Sequence, residues 1–122
     1  MMKKTMKEND HRLLIADDLL ANLYIKEGKL KEAEQLQRTI LEKMERTFKK
    51  PSADLILAIT NLAHTLSKEE NYKDAEPLYK RSLELTRDVY GPSSVRTKAA
   101  TKAYANVLNK LGKSEEATKL LN

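Results

Sequence analysis

The chain has 122 residues, 23 Lys and Arg against 18 Asp and Glu, a net charge of +5, and no cysteine. That length suits one folding unit, the missing cysteine excludes disulfides and thiolate chemistry, and no apolar run approaches the ~20 residues that span a bilayer. Apolar residues are 40% of the chain, with only five Tyr, one Phe, three Gly and three Pro, which favours long, closely packed helices over a β-sandwich. Charges of both signs are interspersed and read as solvated helix faces.

In chain order, Met1-Met2-Lys3-Lys4-Thr5 has no hydrophobic stretch behind it and is not a secretory signal; residues 1–9 are expected to be a flexible segment ahead of a domain spanning 10–122. The first helix is predicted over 10–27, where Leu13, Ala16, Leu20, Leu23 and Tyr24 step by three and four. Glu27-Gly28-Lys29 ends it, since Gly takes the left-handed conformation of a helix stop. Leu30, Ala33, Leu36, Ile40, Met44 and Phe48 predict a second helix over 30–48. Lys50-Pro51-Ser52 stops it and caps a third over 53–69. Glu70-Asn71 precedes a fourth helix, 72–89, in which Pro77 forfeits one backbone bond. Gly91-Pro92-Ser93-Ser94 leads into a fifth, 94–111, and Gly112-Lys113 into a sixth, 114–122. Asn71 and Ser114 are the expected caps of the fourth and sixth.

Shifted by 42 residues, the chain matches itself without gaps. Leu20, Leu62 and Tyr104 align, as do Tyr24, Leu66 and Leu108, then Leu36, Leu78 and Leu120. Two small positions recur in all copies: Ala21, Ala63 and Ala105, and Ala33, Ala75 and Ala117. Alanine there lets the helices of a pair approach closely. Single pairs cannot bury their own apolar faces, so they must stack. The expected fold is all-α: three antiparallel helical pairs (about 13–54, 55–96 and 97–122), the last helix truncated, wound into a right-handed α-α superhelix.

The stretches Leu20-Ala21-Asn22-Leu23-Tyr24 through Lys31-Glu32-Ala33-Glu34, and Asn61-Leu62-Ala63 onward to Tyr72-Lys73-Asp74-Ala75-Glu76-Pro77-Leu78-Tyr79, resemble the tetratricopeptide repeat. More narrowly they resemble the 42-residue variety of kinesin light chains. The likeness covers roughly 13–122. Two features of that variety differ: Ser52-Ala53-Asp54 and Ser93-Ser94-Val95 stand where it has acidic-His-Pro, and its paired groove Asn is present only as Asn61. The resemblance implies an adaptor that holds a peptide or partner protein in a concave groove lined by the first helix of each pair. The groove column would then comprise Asn22, His64 and Asn106, one turn before Lys26, Lys68 and Lys110, with Asn61 and Lys102 on nearby turns. Amides satisfy a peptide backbone as donor and acceptor, and ammonium groups attract carboxylates, which points to an acidic segment or a free C-terminal carboxylate. The same lysines would also complement helix dipoles, and His64 is equally readable as plain surface.

No catalytic site, metal site or cofactor is expected. The glycines are too dispersed for a phosphate loop, His11 and His64 are isolated, and the neighbours in Asp17-Asp18 and Glu115-Glu116 diverge on a helix. Basic residues are not clustered, so nucleic acid is not an expected partner. A cytoplasmic, membrane-free setting follows. The sixth helix looks too short to cover Val107, Leu108 and Leu111. The favoured expectation is that the chain is part of a longer repeat array; the other is a homodimer formed through those residues with Leu120 and Leu121. An assembly module of self-packing repeats is the alternative to the adaptor.

Overall fold

A computed structural model describes residues 11–47 and 52–122, with only the backbone of 11–16 and 47. The expected flexible segment 1–9, Phe48 and Pro51, and the side chains of Leu13 and Ala16, lie outside the described residues. Six helices are present: α1 (His11–Lys26), α2 (Leu30–Thr47), α3 (Ala53–Lys68), α4 (Tyr72–Tyr90), α5 (Val95–Lys110) and α6 (Ser114–Leu121). No strand occurs among the described residues, so the all-α helical repeat expected from the spacing is observed. The chain divides into two compact units, residues 1–50 and 51–122. In the first, α1 packs on α2; in the second, α3 packs on α4, α4 on α5 and α5 on α6.

The turn inside each pair is built the same way three times. After α1, the Lys29 N–H donates to Tyr24 O at 2.8 Å and Gly28 N–H to Ile25 O at 3.0 Å. Asn71 to Leu66 and Glu70 to Ser67 repeat this after α3, and Lys113 to Leu108 and Gly112 to Asn109 after α5. This paired closure satisfies the last carbonyls of a helix and needs a left-handed residue. Gly28 (φ 79°) and Gly112 (φ 81°) supply it freely, whereas the second turn forces Glu70 to φ 63°.

Helix starts follow the expected caps in three cases and depart in one. Ser52 Oγ accepts from Leu55 N–H at 3.2 Å, Asn71 Oδ1 from Asp74 N–H at 3.4 Å, and Ser94 Oγ from Arg96 N–H at 3.1 Å. Ser114 does not cap α6. Lys113 holds that position, no side chain caps the helix, and Ser114 is its first residue. Ser114 instead offers its backbone carbonyl to Thr118 Oγ1 at 2.9 Å. Pro77 is accommodated within an unbroken α4.

All six recurring alanines are inside: Ala21, Ala33, Ala63 and Ala75 are 0% exposed, Ala105 2% and Ala117 1%. Around them α3 buries Leu55, Ile59, Leu62 and Leu66, α4 buries Tyr79 and Leu83, and α5 buries Tyr104, Val107 and Leu108. Each fully buried Leu or Ile contributes about 1.5–3 kcal/mol. Polar side chains between α3 and α4 are paired, with Thr60 Oγ1 and Ser82 Oγ 2.7 Å apart.

The expected open apolar stripe is corrected here. Val107 and Leu108 are buried, because α5 is packed on one side by α4 and on the other by α6. Two turns of α6, anchored by Ala117, are enough. Of the expected self-association set, Leu111 and Leu120 are half-buried and Leu121 is exposed.

Candidate functional site

The second unit carries two adjoining grooves whose walls come from α3, α4 and α5. The positions facing them follow helical spacing. On α3, Ala53, Leu57, Thr60, His64 and Lys68 are three or four apart, and on α5 so are Arg96, Ala99, Ala103, Asn106 and Lys110. α4 supplies tyrosines between them.

One groove is apolar. It has a volume of about 420 Å³ and is lined by Ile56, Leu57, Ala99, Ala100 and Ala103, with Tyr90 and Arg96 at one end. The Arg96 guanidinium lies 4.8 Å from the centre of the Tyr90 ring, within cation–π range. The other is basic, about 460 Å³, and is lined by His64, Ser67, Lys68, Tyr72, Tyr79, Lys102, Ala103, Asn106, Val107 and Lys110. Three ammonium groups face it and no carboxylate does. Lys110 Nζ rests 6.0 Å from the centre of the Tyr72 ring. Lys68, Lys102 and Lys110 form no salt bridge with another described residue. The nearest structural ion pair, Lys113 Nζ to Glu76 Oε1 at 3.1 Å, ties the turn before α6 to α4. It holds the Lys113 ammonium above its usual pKa, first by that hydrogen bond and then by the Glu76 charge.

His64 and Tyr79 line both grooves. The Tyr79 hydroxyl is 3.1 Å from His64 Nδ1 and accepts from Ser67 Oγ at 3.3 Å. The two rings meet edge to face at 85°, with centroids 5.5 Å apart. Burial raises the Tyr79 pKa, opposed by the Ser67 hydrogen bond. His64 has an exposed outer edge but is packed on its Tyr79 side. That burial lowers its pKa below 6.5, and the Lys68 charge adds to the effect.

Of the eight residues expected in a groove, His64, Lys68, Lys102, Asn106 and Lys110 are brought together in the basic one. Asn61 is half-buried on α3, outside either lining, with its backbone carbonyl accepting from Thr65 Oγ1 at 3.1 Å. Asn22 and Lys26 are exposed on α1, in the other unit. Sequence reasoning missed Tyr72, Tyr79 and Arg96, as well as the whole apolar groove. The signal was present in the i, i+3 and i+4 continuation of the same columns, but it runs through alanines. Among the described residues no cluster of three or more His, Asp or Glu is placed to hold a metal ion, and no helix is long and apolar enough to cross a membrane.

The model of the tetratricopeptide repeat matches residues 54–122, and a second model of the same repeat matches residues 18–54. The chain belongs to the tetratricopeptide repeat family. Its fold is of the kinesin-light-chain-like form. The nearly identical TPR-like repeats of a Podosopora anserina protein described as a kinesin light chain superpose with a TM-score of 0.88 at 18% identity, over 96% of this chain and 56% of that one. The TPR domain of Arabidopsis FLU gives 0.72 at 20% identity, over 88% and 87%. BtubC (BKLC) from P. vanneervenii gives 0.77 at 19%, over 89% and 44%. The chain thus spans little more than half of the first of these, and all three likenesses are of fold. No curated protein matches the sequence. Tetratricopeptide repeats are protein–protein interaction modules.

Proposed function

We propose that this tetratricopeptide repeat protein is a non-catalytic, cytoplasmic adaptor whose second unit holds an acidic peptide segment. The supporting observation is the basic groove, in which Lys68, Lys102 and Lys110 surround Asn106, His64 and Tyr72 with no carboxylate among them. Ammonium groups that form no salt bridge with another described residue supply the attraction. Asn106 can serve a peptide backbone as donor and acceptor, and the adjoining apolar groove receives a side chain of the peptide. Lys68 and Lys110 also stand in the last turns of α3 and α5, where cations suit the dipole, but Lys102 stands mid-helix and the dipole gives it no such role. The absence of cysteine fits a reducing compartment.

The test is a triple charge reversal, Lys68→Glu, Lys102→Glu and Lys110→Glu, with a rhodamine-labelled hexa-aspartate peptide as probe. The expected loss of affinity is at least about tenfold, roughly 1.4 kcal/mol, with the fold retained and only a modest fall in melting temperature, because the three side chains are exposed and two of them leave the last turns of α3 and α5. Unchanged probe affinity would refute the assignment of the groove. Duplex DNA serves as the control ligand. Binding to DNA that is steeply salt-dependent and outcompetes the peptide would favour nucleic acid instead.

A further inference from the structure

The two grooves meet at a histidine that is hydrogen-bonded on one ring nitrogen and open on the other. Tyr79 is 5% exposed, and its hydroxyl accepts from Ser67 Oγ and sits 3.1 Å from His64 Nδ1. A phenol has one proton. With Ser67 donating to it, that proton goes to Nδ1, so the neutral ring is the Nε2–H tautomer. Nε2 has no hydrogen-bond partner among the described residues, and His64 is an exposed residue that lines both grooves.

The charges around this ring are all of one sign. Lys68 faces it from α3, Lys102 and Lys110 line the basic groove from α5, and Arg96 stands at the Tyr90 end of the apolar groove. From α4 the grooves receive the phenols of Tyr72, Tyr79 and Tyr90 and no carboxylate. Such surroundings keep an empty groove's imidazole neutral, and an entering carboxylate reverses the balance.

We propose that His64 is the proton-linked contact of the groove: it takes up a proton as an acidic peptide docks, and its imidazolium then joins the three lysines against the peptide's carboxylates. The proposal rests on the acidic-peptide reading above and adds a pH dependence to it. Protonation requires no heavy atom to move. Nδ1–H donates to the Tyr79 oxygen, the Tyr79 proton turns to Ser67 Oγ, and a helical serine can turn its own proton to the carbonyl four residues back. The sign follows from linkage. A bound anion raises the pKa of His64, so affinity increases as pH falls through the range between its free and bound values.

The test is titration of the hexa-aspartate probe into the intact chain between about pH 8 and about pH 5.5, a range in which His titrates and Asp stays ionised. Wild type is expected to bind about tenfold tighter at the acid end, corresponding to a pKa shift of about one unit on binding. His64→Gln should bind at every pH with the affinity wild type shows at the alkaline end. Tyr79→Phe should keep the tightening, since the Tyr79 hydroxyl serves the ring in both states, as donor when it is neutral and as acceptor when it is protonated. The chain has only two histidines, so the His64 ring resonances can be followed directly, and they should titrate at higher pH when the peptide is bound. Parallel pH profiles for wild type and His64→Gln would overturn the role of His64 while leaving the groove assignment to the lysine reversal. Failure of the probe to bind at any pH would remove the groove assignment and this proposal together.

Discussion

Replacing Ala63 by Leu tests the packing on which the fold depends. Ala63 on α3 and Ala75 on α4 are both 0% exposed, at the recurring positions where the two helices of a pair approach. The substitution adds three carbon atoms where interior packing leaves no vacancy. Inserting methylenes into a well-packed core costs about 1–3 kcal/mol. At a helix crossing the obstructing atoms include main chain, which cannot change rotamer, so the upper end, about 3 kcal/mol, is expected. The propensity difference between Ala and Leu is below about 0.7 kcal/mol and cannot account for that. For a chain of this size 1 kcal/mol moves Tm by about 4 °C, so the expected fall is roughly 12 °C. Far-UV circular dichroism melts of Ala63→Leu should be compared with Ala99→Leu, where an exposed alanine on α5 should change stability by less than about 0.5 kcal/mol. Equal melting curves for the two variants would refute the claim that side-chain size at the repeated alanines sets helix proximity.

Two further outcomes concern the turns and caps. Glu70→Gly relieves a left-handed residue at φ 63° and should raise stability by about 0.5–1 kcal/mol, a left-handed penalty of about 1–2 less the entropy Gly loses on folding. Gly112→Ala, at φ 81° with nothing within 4 Å of an added Cβ, should lower stability by about 1 kcal/mol for backbone reasons alone; urea midpoints check both. Ser52→Ala removes the bond to Leu55 N–H and should cost about 1 kcal/mol. Ser114→Ala, which removes no capping bond, should leave the denaturation midpoint within about 0.5 kcal/mol of wild type.

The fold was legible because its determinants are local and recur. Alanine at two fixed phases marks where backbones approach, and Gly28, Asn71, Ser94 and Gly112 mark turns and caps chemically. The helix boundaries therefore fall within a residue or two of expectation wherever they are described. Ser114 was misread because a capping residue type at a helix start does not place its oxygen. In α6 the backbone enters one residue earlier, at Lys113. Val107 and Leu108 were misjudged by treating α6 as their sole cover, although α4 shields the same helix. In the site, charged and amide residues stood out as a column, so the basic half was readable. The apolar half was not, since Ala99, Ala100 and Ala103 are indistinguishable in sequence from ordinary helix-forming alanines. Nor does spacing alone foretell that the Tyr79 hydroxyl meets His64 across fifteen residues.

Because His64 and Lys68 belong to one hairpin and Lys102, Asn106 and Lys110 to the next, whatever lies in the basic groove touches both. In a stacked array, where stability is a sum over neighbouring repeats, such an occupant acts as a staple across a junction. Local opening of α5 and α6 away from α4 would then have to release the guest first. Amide exchange in those two helices should therefore slow by the factor that mass action assigns to the guest's concentration over its Kd. Guest and repeat would in this way share one unfolding equilibrium, and an occupied groove would resist unzipping more than an empty one.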